Sequence, residues 1–241
     1  MFFEKEYTPR PDDFNERKNM SLEALLRILE HHCEFHSDFV NDGIENNGIA
    51  WILTEWNIDI RRRPKMGDTL RIKTWAHGKT PASIVGRDFV VSDGDGKEII
   101  FVSSRFALLD IAKQKLVRVT PEIIGMYQPE EAKAISPDPK RLRDLAKEAP
   151  AQPVYIRRSD IDYNGHVHNT RFIDYALEVM PKEAYERDDF SGFRILYKNQ
   201  LLNDGTTNIR YVRHENAYDF SLYSGDKLCA LMQITQRTET I

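Results

Sequence analysis

Residues 21–43, SLEALLRILEHHCEFHSDFVNDG, build a helix and then stop it, and the residues beyond them change period. Leu22, Leu25, Leu26, Leu29, Cys33, His36 and Val40 recur near helical spacing, so one face is apolar and needs a partner. Ser21 is placed to cap the first turn with its hydroxyl. Asn41-Asp42-Gly43 gathers residues that tolerate left-handed backbone, where a helix ends. Downstream, Trp56, Ile58 and Ile60 alternate with Asn57, Asp59 and Arg61, the period of a half-buried strand. Met66-Gly67-Asp68 marks a turn before Leu70, Ile72 and Thr74, and Asp93-Gly94-Asp95-Gly96 reads as a hairpin connection between two apolar runs. Lys113-Gln114-Lys115 then turns the chain into Leu116-Val117-Arg118-Val119.

The same order returns in the second half. Val154-Tyr155-Ile156 reads as a short strand, and Asn169 or Thr170 can cap a helix bearing Phe172, Ile173, Ala176, Leu177 and Met180, which Pro181 ends. Strands resume over Phe193 to Leu202, turn at Asn203-Asp204-Gly205, and continue through Ile209 and Tyr211, then Tyr218, Phe220 and Leu222. After a Gly225-Asp226 turn, Leu228, Ala230, Met232 and Ile234 alternate with Cys229, Leu231, Gln233 and Thr235. Each half is therefore an α+β unit, a helix whose apolar face an antiparallel sheet must cover. Residues 128–150 hold Pro129, Pro137, Pro139 and Pro150, many charges and little alternation. The expected organisation is a unit over 1–130, a connection over 131–150 with a short helix around Arg141 to Lys147, and a second unit over 151–241. No β-α-β alternation and no glycine-rich strand-to-helix loop is present, which argues against a nucleotide fold.

With 241 residues, 41% of them hydrophobic and 30% charged, the chain has the composition of a folded globular protein. Its 34 basic and 38 acidic residues leave a net charge of −4, so no nucleic-acid partner is expected and an anionic partner must be met locally. No apolar run approaches the ~20 residues that cross a bilayer. Met1-Phe2-Phe3-Glu4-Lys5-Glu6 puts charge straight after its apolar start, unlike a secretory signal. Two cysteines, Cys33 and Cys229, exclude a disulfide framework and fit a reducing compartment, so the expected location is the cytoplasm.

The densest polar stretch is RRSDIDYNGHVHNT, residues 157–170, between a strand and a helix start. A helix N-terminus offers free N–H groups to an oxyanion that develops on an attacked carbonyl. Asp162, Asn164 and His166 supply a carboxylate, an amide and an imidazole, and Gly165 lets the backbone approach closely. The same residue types also serve as turn formers and caps. His32 and His36 lie four apart, but the glutamate of a zinc helix is not at its place between them, and His166 with His168 is weak as a ligand pair. No metal and no cofactor is expected.

Asp160-Ile161-Asp162-Tyr163-Asn164-Gly165-His166-Val167-His168-Asn169, followed by Arg171-Phe172-Ile173, resembles the D-x-D-x-N-x-H-V-x-N signature of plant and bacterial acyl-acyl-carrier-protein thioesterases. The first half is similar to that family too, in the helix from Ser21, in Trp51-Ile52-Leu53, and in Ile60-Arg61-Arg62-Arg63-Pro64 leading to Gly67-Asp68 and Thr74-Trp75. The resemblance implies two tandem hot-dog units, each a long helix wrapped by an antiparallel sheet, the first holding the acyl chain and the second the catalytic residues Asp162, Asn164 and His166. One departure matters. The family commonly has a glutamate after the aromatic-basic motif of the second unit, and Tyr197-Lys198-Asn199-Gln200-Leu201 places Gln200 there. A glutamine can position a water but cannot take its proton, so His166 or Asp162 is left as the base.

The implied reaction is hydrolysis of a fatty acyl thioester on acyl carrier protein, ending chain elongation, with the carbonyl oxygen held by N–H groups at the start of the second helix. The carrier is acidic, and its docking candidates are Arg61-Arg62-Arg63 with Lys65, Arg157-Arg158, and Lys140-Arg141 with Arg143. Leu26, Trp51, Leu53 and Trp56 are candidates for the acyl pocket, or ordinary core. A membrane partner is not expected, and a homodimer is compatible with the sequence. The rivals are a non-catalytic acyl- or carrier-binding protein of the same fold, an acyl-CoA thioesterase, and an enoyl-thioester hydratase.

Overall fold

The computed structural model describes residues 1–77, 83–136, 140–146, 148–203 and 205–238. The chain divides into two compact units, Met1–Asp138 and Pro139–Ile241. In the first, strand β1 (Phe3–Tyr7) precedes helix α1 (Leu22–Val40), followed by β2 (Ile49–Ile60), β3 (Leu70–His77), β4 (Ile84–Ser92), β5 (Glu98–Asp110), the short β6 (Lys115–Val117) and helix α2 (Pro121–Met126). The second runs β7 (Gln152–Tyr155), α3 (Arg171–Glu178), α4 (Lys182–Arg187), β8 (Phe190–Tyr197), β9 (Thr206–Arg213), β10 (Ala217–Ser224) and β11 (Lys227–Gln236).

The two units share one strand order. The first sheet runs β1-β3-β4-β5-β2 with β6 on β5, and the second runs β7-β9-β10-β11-β8, every pair antiparallel. This is the duplicated α+β architecture that the residue patterns imply. α1 starts where Ser21 Oγ accepts the Ala24 N–H at 3.0 Å and stops where Asn41 turns left-handed at φ 52°. Its inner face, Leu22, Leu25, Leu26, Leu29 and His36, is buried. His36 stacks on Phe3 of β1 and meets Arg87 of β4 at 2.8 Å. Burial and the neighbouring guanidinium hold that imidazole neutral, its pKa pushed down to about 3. Trp56, Ile58 and Ile60 are buried as their alternation requires. The shorter α3 buries Phe172, Ile173 and Ala176, and Phe172 packs edge-on against Tyr197 of β8.

Three expectations need correction. No helix forms at residues 141–146, because tertiary partners take the groups a helix would use: Leu145 donates its N–H to Ser221 Oγ at 3.0 Å, and Asp144 accepts from Ala146 N–H and from the Tyr223 hydroxyl; Lys147 lies outside the described residues. β8 ends at Tyr197 rather than Leu202, since Lys198 and Asn199 both donate to the Cys229 carbonyl and the chain leaves the ladder. β6 likewise ends at Val117 rather than Val119. Asp204 of the Asn203-Asp204-Gly205 turn lies outside the described residues. The helix after Pro181, α4, has no counterpart among the expected elements.

Within the segment read as a connection, Ala132 accepts from Trp75 Nε1 at 2.8 Å and Ala134 donates to the fully buried Asp88 at 2.7 Å, both in the first unit. Asp144 and Leu145 are held by the second. Among the described residues no helix is long and apolar enough to cross a membrane.

The Ser21 cap is testable in isolation. Ser21→Ala should lower the stability of the first unit by about 1 kcal/mol in urea unfolding, and Ser21→Asp should restore most of it; equal midpoints for all three proteins would show that the cap contributes nothing.

Candidate functional site

Asp162, Asn164 and His166 sit on one tight turn between β7 and α3. Its base is an antiparallel bridge between Ile161 and Val167, its middle is Asp162 N–H to the His166 carbonyl at 2.8 Å, and its tip is Gly165 N–H to the Asp162 carbonyl at 3.0 Å. Gly165 adopts φ 79°, where a glycine is unstrained. Asp162 folds the turn from inside: one carboxylate oxygen accepts the N–H groups of Asn164 at 2.8 Å and His166 at 3.2 Å, and the other lies 3.5 Å from Asn164 Nδ2. Asp162 and His166 are half-buried and Asn164 is exposed.

Gln200, far away in sequence, is tied to the same turn. Val167 N–H donates to the Leu201 carbonyl at 3.0 Å, so the backbone beside Gln200 is fixed to the residue after His166. The Gln200 side chain is exposed, and its carbonyl accepts from Cys229 Sγ at 3.3 Å. Among the described residues neither nitrogen of the His166 ring has a hydrogen-bond partner, and the Asp162 carboxylate engages backbone rather than the imidazole. The N–H groups of Arg171 and Phe172, at the start of α3, are bonded to the carbonyls of His168 and Asn169 at 2.9 and 3.3 Å. Those two are thus not open to an oxyanion. His32 and His36 do not converge either: His32 Nδ1 meets the Ile28 carbonyl while His36 Nδ1 meets Arg87.

Beneath the turn lies a residue that the sequence marked only as part of a motif. Asp160, 1% exposed, accepts the Arg157 N–H at 2.9 Å and the Tyr175 hydroxyl at 2.7 Å, and its own carbonyl accepts the His168 N–H at 2.8 Å. Burial pulls its carboxyl up, but the bonds from Tyr175 and Arg157 outweigh it and hold the group below the usual carboxylate range. Burial and the Asp160 charge raise the Tyr175 phenol.

The first unit contains the same loop. Asn15 takes the place of Asp162: its side-chain oxygen accepts from Arg17 N–H at 3.0 Å and Asn19 N–H at 3.1 Å, and its N–H donates to the Asn19 carbonyl at 2.9 Å. Phe14 and Met20 form the bridge, Lys18 stands for Gly165 at φ 59°, and Met20 N–H donates to the Pro64 carbonyl as Val167 does to Leu201. The carboxylate, amide and imidazole of the second loop are amide, guanidinium and amide in the first. The signal was legible: Asp13-Phe14-Asn15 and Asp160-Ile161-Asp162 share an aspartate, an apolar residue and an Asx residue shortly before a helix.

The basic clusters fare unequally. Arg61 pairs with Asp59, Arg62 with Asp68 and Asp93, and Arg63 is buried against the Met20 carbonyl, so the triple-arginine run is engaged within its unit. Arg157 and Arg143 pair with Asp160 and Glu148. Arg158, Lys140 and Arg141 are exposed.

Comparison with known proteins places both units. The acyl-ACP thioesterase N-terminal domain matches residues 1–127 and the C-terminal domain residues 144–235. A chloroplastic acyl-[acyl-carrier-protein] hydrolase of Cuphea viscosissima is 24% identical over 218 residues, 84% of this chain and 52% of that protein. The chain thus spans about half the length of such curated relatives. An acyl-ACP thioesterase structure from Bacteroides thetaiotaomicron superposes with a TM-score of 0.87 at 20% identity, covering 98% of each chain. The 12:0-ACP thioesterase of Umbellularia californica gives 0.83 at 18%, covering 98% of this chain and 97% of that one. At these identities the superpositions establish the double hot-dog fold.

Because Asn15 folds its turn with a neutral amide, Asp162→Asn should keep the loop. The expected cost is about 1 kcal/mol or less, the gap between a charged and a neutral acceptor, with amide exchange at Asn164 and His166 close to wild type. Lost protection at both amides would show that the charge itself holds the turn.

Proposed function

Because the chain belongs to the acyl-acyl-carrier-protein thioesterase family, we propose that it hydrolyses the thioester joining a fatty acyl chain to acyl carrier protein and so releases the free acid. The observation that carries this reading is the 160–168 turn, which presents together a fixed carboxylate, an exposed amide and an imidazole that has no hydrogen-bond partner among the described residues. In this proposal His166 accepts a proton from a water, the resulting hydroxide adds to the thioester carbonyl carbon, and the tetrahedral intermediate expels the carrier's thiolate. That sulfur takes the proton back from His166, so the enzyme is regenerated. Asn164 donates to the carbonyl oxygen. Asp162, fixed by two N–H groups, supplies negative charge that favours the imidazolium. Gln200 holds the water without removing its proton.

The acyl chain is assigned to the first unit, whose α1 covers an interior containing Leu26, Leu53 and Trp56. The acidic carrier is assigned to exposed Arg158, Lys140 and Arg141. Cys33 and Cys229 are thiols rather than disulfide partners, in keeping with a cytoplasmic setting.

Parallel assays with acyl-ACP, acyl-CoA and enoyl-CoA test the reading. Free acid should form fastest from acyl-ACP, and His166→Ala should lower that rate by about 10² to 10⁴. Binding of acyl-ACP without release of acid, or faster turnover of either CoA ester, would refute it. Gln200→Glu should raise the rate by supplying a second base; an unchanged or lower rate would remove Gln200 from the chemistry.

A further inference from the structure

The two loops differ in every side chain assigned to chemistry, yet each hangs from the same buried assembly. In the second unit the Asp160 carboxylate receives the Arg157 N–H at 2.9 Å and the Tyr175 hydroxyl at 2.7 Å. In the first, the Asp13 carboxylate, also fully buried, receives the Arg10 N–H at 2.7 Å and the Tyr7 hydroxyl at 2.6 Å. Both aspartates then close their loop with the backbone carbonyl: His168 N–H reaches Asp160 and Ser21 N–H reaches Asp13, each at 2.8 Å. One residue thereby fixes the entry of the loop through its carboxylate and the exit through its carbonyl. The aromatic partner comes from a different element in each unit, from α3 in the second and from β1 in the first. What recurs is the anchor, not the packing around it.

Each aspartate also has a charged donor: Arg27 reaches Asp13 at 2.6 Å, and Arg157 Nε reaches Asp160 at 3.2 Å. The Tyr175 hydroxyl is what ties the anchor under His166 to α3. Asp162 lies two residues from Asp160, and the Asp160–His168 bond encloses the whole span from Asp162 to His166, so any slack at the anchor reaches all three functional groups.

We propose that Asp160 and Tyr175 are positioning residues for the hydrolysis, holding Asp162, Asn164 and His166 in register from beneath without touching the substrate. This rests on the proposed thioesterase activity. The first unit supplies the control, since Tyr7 plays the same part under a loop with no assigned chemistry.

The test compares Tyr175→Phe with Tyr7→Phe, each losing one buried hydroxyl and keeping its ring. Tyr175→Phe should lower kcat on acyl-ACP by roughly ten- to a hundredfold, the range that small misplacement of reacting groups produces, with KM within about twofold. It should also speed amide exchange at His166 and His168. Tyr7→Phe should leave kcat within about twofold and speed exchange only at Asn19 and Ser21. Should Tyr175→Phe fail to fold, Asp160→Asn against Asp13→Asn makes the same comparison at the other partner. Equal effects on kcat from both units, or an unchanged kcat in Tyr175→Phe, would overturn the proposal. If wild-type protein releases no acid from acyl-ACP, the functional reading fails instead, and the exchange measurements still decide whether Tyr175 restrains the loop.

Discussion

A carboxylate enclosed by protein must find donors before its surroundings can pack, because taking an ion out of water costs several kcal/mol. Asp160 meets that demand with the backbone N–H and the Nε–H of Arg157 before the loop and the Tyr175 hydroxyl from the helix after it. Its position is therefore over-determined, and the chain from Ile161 to Val167 is a short closed excursion from a fixed point. Everything the second unit presents to solvent at this end depends on that closure.

The first unit shows how much of the loop is independent of its function. With Asn15, Arg17 and Asn19 in place of Asp162, Asn164 and His166, the backbone bonds are the same. Main-chain donors and acceptors are identical at every residue, so a network built from them tolerates replacement of the side chains it displays. The exception is the tip. Lys18 holds a left-handed backbone there that L-residues adopt at a cost of about 1 kcal/mol, while Gly165 adopts it freely. The matching strand orders extend this from the loops to the units.

Much of this was legible in the residues because short-range rules governed it. Ser21, Asn41, Gly96 and the Trp56-Ile58-Ile60 alternation each act through local backbone chemistry, and the structure follows them. Where expectation failed, a distant partner decided. Leu145 and Asp144 have helix-compatible neighbours but bond to Ser221 and Tyr223 on β10. Lys198 and Asn199 continue an apolar strand pattern, yet both N–H groups turn to Cys229. The α3 N–H groups read as open to an oxyanion are closed by the two carbonyls just before them, because the loop enters the helix through a turn. The motif singled out Asp162, Asn164 and His166 as candidates; it could not say that Asp160 is buried beneath them, since an aspartate in such a run reads equally as a cap.

Arg63 and Gln200 occupy equivalent positions in the two units. Each precedes the residue whose carbonyl receives the loop's N–H, Pro64 for Met20 and Leu201 for Val167. In the first unit that side chain turns inward: Arg63 is 9% exposed and its guanidinium reinforces the loop at the Met20 carbonyl. In the second it is exposed, and among the described residues it makes no side-chain hydrogen bond to the loop. One position is thus structural in one copy and released in the other. The loop is held without it, by the Asp160 anchor, the Asp162 carboxylate and the Val167–Leu201 bond. A side chain placed in this way can be exchanged at little cost to the fold, so glutamine and glutamate are equally compatible with the shape of the turn at position 200.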